Sequence, residues 1–133
     1  MSDTAVNWPR AVGAVVVGEI VPILLLVSFV ALWGPSDVSE ADLFARRAGA
    51  WIGPIAGAAT VLLVAWWAGS RSSRPVLQGA GIGLALALID FAILVSAGEP
   101  LVGLFVVSNG GKVLAGMLGG WLAARGRQRP SAA

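Results

Sequence analysis

The chain has 133 residues, 57% of them hydrophobic and 12% charged, with a formal net charge of +2 and a mean hydropathy of +0.84. That composition excludes an ordinary water-soluble domain and points to lipid as the surrounding medium. Cysteine, histidine and tyrosine are absent, which removes disulfides, thiolate nucleophiles, imidazole-held zinc or haem and any Ser–His or Cys–His catalytic pair. A non-enzymatic protein without metal or cofactor is expected.

In chain order the apolar runs cover residues 11–33, 49–69, 76–97 and 101–124. Each reaches the approximately 20 residues that a helix needs to cross the hydrocarbon core. Pro9, Pro35, Pro75, Pro100 and Pro130 fall at or just beyond their edges, where a missing N–H does least harm. Trp8, Trp33, Trp51, Trp66, Trp67 and Trp121 also lie near the ends, as side chains with an apolar body and a polar tip do at a membrane interface. The pattern predicts an all-α fold: an integral membrane four-helix bundle forming a single domain.

The connection at 34–48 is the only one with room for structure. Ser39 followed by Asp42 reads as a helix start, so a short interfacial helix is expected there before the second span. Asp42 also stands four residues before Arg46, the spacing of a helical ion pair. The other connections, SRSSRP and GEP, are tight enough to make successive spans antiparallel neighbours.

With the N-terminus in the cytoplasm, Arg10, Arg71, Arg74, Arg125, Arg127 and Arg129 are inside and only Arg46 and Arg47 are outside. The positive-inside rule therefore places both termini in the cytoplasm and makes 125–133 a basic cytoplasmic tail, in a bacterial-type inner (plasma) membrane crossed several times. The pI near 10.5 follows from these end-placed arginines, so no nucleic-acid partner is expected.

Small residues recur every fourth position in three spans: Gly49, Gly53 and Gly57; Gly79, Gly83 and Ala87; Gly111, Ala115 and Gly119 with Gly116 beside them. In lipid, where burying apolar surface gains little, such ridges let backbones approach, within the bundle or against another copy. Pro22 and Pro54 fall inside the first and second spans and allow bending there.

Three ionisable residues lie inside spans. Counted from the cytoplasmic ends at about 1.5 Å per residue, Glu19 is about 12 Å deep, Lys112 about 18 Å and Asp90 about 21 Å. An ionised side chain at the centre of a span costs roughly 2.5–3.5 kcal/mol, so unpaired charges there are untenable. Lys112 shares a helical face with Ser108, Asn109 and the small residues, and Asp90 falls on the Gly79/Gly83 stripe. The expectation is a buried Glu19/Asp90/Lys112 cluster with Asn109 and Ser108 as hydrogen-bond partners. Two acids and one base leave a surplus carboxyl, which needs a proton or a cation.

The segment NGGKV lacks the spacing and the Ser or Thr of a phosphate loop, and GAGIG follows no strand. Both are packing glycines. Four short spans with a lone glutamate, Glu19, in the first give a layout that resembles the small multidrug resistance transporters. The resemblance covers length, span count and Glu19; a lysine and an aspartate in later spans depart from it, and it carries no substrate over to this chain. The leading expectation is a structural or accessory subunit that docks helices, in contact with the lipid bilayer and either self-associating or bound to another membrane protein. The alternative is a small oligomeric proton- or cation-coupled transporter or channel using Glu19 and Asp90.

Overall fold

The computed structural model describes residues 6–128 and is all-helical there. Arg129 and Pro130, counted above in the tail and its border, lie outside the described residues. Four helices follow one another: α1 (Trp8–Trp33), α2 (Val38–Gly69), α3 (Pro75–Ser96) and α4 (Gly103–Gln128).

Their ends follow local chemistry. The Asn7 side chain accepts from the Arg10 N–H to cap α1, and proline stands in the first turn, where the lost N–H would have had no helical partner. Helix α1 stops at Gly34, directly before Pro35. Helix α3 opens on Pro75 without a side-chain cap. It is followed by Gly98, whose φ of +67° is a left-handed conformation that glycine adopts without steric penalty.

The 34–48 segment departs from expectation. Asp37, not Ser39, caps α2, accepting from the N–H groups of Ser39 and Glu40 and from the Ser39 hydroxyl. From there the helix runs unbroken for 32 residues, so the short interfacial helix is the first part of α2. Asp42 and Arg46 form their ion pair at 2.9 Å on its exposed side.

Helices α1, α2 and α3 are long and apolar enough to cross a membrane. Helix α4 is not among them: Ser108, Asn109, Lys112 and its many glycines dilute the apolar run that the sequence offers as a fourth span. The surface is apolar nearly all round, with Val12, Leu24, Val27, Ile55, Leu63, Leu88 and Val107 all exposed. The buried centre is small, formed by Ala14, Val61, Ala68, Ile82 and Leu86. Large apolar side chains outside and only a small buried centre are the arrangement that suits hydrocarbon surroundings.

The connectivity gives the bundle two ends. One carries both described termini and the α2–α3 connection; the other, the hairpin end, carries the α1–α2 and α3–α4 connections. The most extensive packing is between α3 and α4 and between α2 and α4, followed by α1 with α2; α2 with α3 and α1 with α3 touch less. Sequence neighbours α2 and α3 therefore meet less than the parallel pair α2 and α4, a departure from neighbour-only packing. The backbones of α1 and α4 do not approach one another.

Glycine explains why α4 is gripped on two sides. A Cβ on Gly116 would run into the carbonyl of Gly79, and one on Gly79 into the carbonyl of Gly116, so the α3 and α4 backbones touch directly. Gly119 does the same against Leu62 and Trp66 of α2, and Gly120 against Pro75. These contacts lie towards the terminal end, which is consequently closed.

A buried amide completes that closure. Gln78, 2% exposed, accepts from the Asn7 N–H at 2.9 Å and donates to the carbonyls of Asn7 and Ala68. Arg10 adds hydrogen bonds to the Trp67 carbonyl and the Ser70 hydroxyl and lies over the Trp67 ring.

Candidate functional site

Lys112 sits where the close packing ends. Its stem passes Gly57 of α2, where a Cβ would lie 3.2 Å from the lysine Cε. Its backbone lies against Gly83 of α3, where a Cβ would strike the Lys112 carbonyl and Val113 Cα. Two glycines on two helices thus clear the space for one long side chain, which is 7% exposed overall. The ammonium reaches Asp90 Oδ2 of α3 at 2.5 Å. A lysine inside an apolar segment is tolerable because its charge ends on a carboxylate and its methylenes replace the missing glycine side chains.

Beyond this pair, towards the hairpin end, the helices border an open cavity of about 440 Å³. Its polar wall comprises Glu19 of α1, Asp90 of α3, and Ser108 and Lys112 of α4. The rest is apolar and includes Ile23, Leu26, Ile93, Val102 and Phe105. Pro22 and Pro54 also line it, as do Gly18 and Ala50 four residues before them. A proline cannot donate to the carbonyl four residues earlier, so Gly18 and Ala50 each lose a helical donor beside the cavity.

The expected cluster is only partly assembled. Lys112 and Asp90 are bonded, but the ammonium turns to Asp90 and not to Glu19, whose helix stays away from α4. Glu19 lines the same cavity with its Oε1 buried and without a hydrogen-bond partner. Ser108 lines the cavity as well. Asn109 is not a partner of the charges: its Nδ2 donates to the Phe105 carbonyl one turn back, and its Oδ1 is buried and unpartnered.

The expected packing glycines divide in the same way. Gly57, Gly79, Gly83, Gly116 and Gly119 meet another helix, whereas Gly49 makes only ordinary contact with Leu26. Gly53 and Gly111 have open space where a Cβ would be, so neither is a close-packing position within this chain. Gly53 borders the cavity with Pro54, and helices α1 and α2 continue through Pro22 and Pro54.

Gln78 is a further buried polar residue outside the expected cluster. Its signal in the sequence is a glutamine in the first turns of an otherwise apolar segment, next to a packing glycine, because a buried amide must find partners on other elements. Among the described residues no group of three or more acidic, histidine or cysteine side chains is placed to hold a metal. Comparison with protein-family models, with characterised proteins and with solved structures finds no match to this chain.

Proposed function

We propose that the protein is a non-enzymatic four-span membrane protein of the plasma membrane, with both termini cytoplasmic, that handles protons or small cations at the Glu19/Asp90/Lys112 cavity. The observation carrying this reading is Glu19 Oε1, a buried carboxylate oxygen without a donor in the wall of a cavity. Lys112 is hydrogen-bonded to Asp90, so Glu19 Oε1 is left without a donor of its own and a cation or a proton from outside the chain answers it. Helix α4 counts as the fourth span because its polar residues Lys112 and Asn109 are buried against neighbouring helices, leaving Val106, Val107, Leu114 and Leu118 outward.

Reconstitution into liposomes tests the reading. Wild-type protein is expected to carry a proton or monovalent-cation flux that Glu19→Gln abolishes; flux unchanged in Glu19→Gln removes Glu19 from the role. A second reading, a helix-docking accessory subunit, is favoured by the open positions at Gly110 and Gly111 on α4, where a further helix or another copy has room to approach. Absence of flux together with purification in fixed stoichiometry with another membrane protein supports it.

A further inference from the structure

The chemistry of the cavity wall narrows the kind of cation it takes, an inference that rests on the cation-handling reading above. Its unanswered carboxyl and backbone groups are acceptors, and the Ser108 hydroxyl in the same wall can accept as well as donate. Glu19 Oε1 has no donor, and the carbonyls of Gly18 and Ala50 have lost theirs to Pro22 and Pro54. The one cationic side chain lining the cavity, Lys112, is engaged with Asp90. Charge leans the same way: α1 contributes Glu19, α3 Asp90, α4 Lys112, and α2 no ionisable group, which leaves one formal negative charge in excess. Apart from the Ser108 hydroxyl, the other side chains in the wall are apolar.

A complementary ligand carries one positive charge, offers N–H or O–H donors at the charged end, and is apolar elsewhere. Anions fail on charge. A divalent metal ion needs about six oxygen ligands, and no acidic group of the required size is present among the described residues. A quaternary ammonium brings the charge but has no N–H to give to Glu19. A polyamine would leave its second charge against the Ile23, Leu26 and Phe105 wall. The volume of about 440 Å³ lies within the range of small-molecule sites, roughly 300–1,000 Å³.

We infer that the cavity binds a primary or secondary alkylammonium, with its N–H groups on Glu19 and the adjacent free carbonyls and its alkyl chain against Ile23, Leu26 and Phe105. The carbonyls supply what a carboxylate alone does not: acceptors for the second and third N–H groups of a primary amine. This makes N–H donation, beyond charge, the basis of selection.

The test uses the full chain in nanodiscs and calorimetric titration with n-hexylammonium and with n-hexyltrimethylammonium, which share chain length and charge and differ in N–H donors. Saturable binding of hexylammonium is expected, tighter than the trimethyl analogue by about tenfold or more, the equivalent of an unmade hydrogen bond to a charged acceptor. Glu19→Gln is expected to erase that preference. Equal affinities for the two probes, or no saturable binding of either, overturn the inference without recourse to any variant. A preference that persists in folded Glu19→Gln also overturns it. Glu19-dependent proton flux in liposomes with no hexylammonium binding sinks the amine site and leaves the broader reading standing. Selective amine binding without flux supports the site and removes transport.

Discussion

Two glycines five residues apart on α4 are expected to respond to the same substitution with opposite signs. Alanine is favoured over glycine in a helix interior by about 0.8–1.0 kcal/mol, a gain available at either position. At Gly111 nothing lies within 4 Å of the new methyl group, so Gly111→Ala should keep that gain. At Gly116 the methyl group meets the Gly79 carbonyl and comes within 3.3 Å of Gly83 Cα. These are backbone atoms, which cannot turn aside as a side chain can. Helices α3 and α4 must part there, and a radial gap of about 0.5–1 Å forfeits a quarter to a half of each dispersion contact across the seam. Overpacking costs about 1–3 kcal/mol, and a clash with rigid backbone belongs at the upper end, so Gly116→Ala should be destabilised by about 2 kcal/mol net of the propensity gain. The assay is reversible unfolding of both variants in mixed micelles by titration with denaturing detergent, followed by helical circular dichroism. If the two variants shift the midpoint in the same direction, the direct backbone contact between α3 and α4 is not what holds them together.

The buried ion pair gives a second expectation. Lys112→Met should destabilise by about 3 kcal/mol, at the low end for a broken buried pair because the Asp90 side chain keeps 23% exposure. Adding Asp90→Asn should recover most of that loss, and additive effects in the double-mutant cycle would show that the two charges do not interact. A third concerns pH at the start of α2. Hydrogen bonds from the Ser39 hydroxyl, and from the backbone N–H groups of Glu40 and Ser39, hold the Asp37 carboxyl below its ordinary value. Because the folded value is the lower one, the cap is fully effective above the unfolded-state value and is lost as pH falls through the folded one. Residue-resolved NMR should find the first turn of α2 loosening in that acid window, and already loosened near neutral pH in Asp37→Ala; a first turn indifferent to both would refute the cap.

Much of the helical layout is legible in the sequence because apolar runs and prolines are one-dimensional signals. The approach of Asp90 to Lys112 is readable too: two buried charges on consecutive helices with a short connection differ little in height, and opposite charges in low dielectric meet. Helix rotation and the wider packing order are not readable in this way. Gly53 and Gly79 sit in equally regular small-residue ridges, yet one borders a cavity and the other touches a backbone, since the ridge pattern does not say which neighbour it faces. Glu19 and Lys112 do line one cavity, but the ammonium's choice of Asp90 follows a packing that keeps α1 off α4, which no count of residues along the helices reveals. The start of α2 differs from the sequence expectation because Ser39 and Asp37 are both good caps, and two N–H groups and a hydroxyl converge on Asp37.

The Gln78 amide has a bearing on how the molecule is put together. It fastens Asn7 across 71 positions of chain, and a ribosome delivers residue 7 long before residue 78. The helix that emerges first therefore waits for this fastening until the third has been made, although Arg10 meets the Trp67 carbonyl and the Ser70 hydroxyl as soon as the second is in place. Only then do α1 and α3 share that clasp, so a contact at the start of α1 is made late, with α4 still to follow.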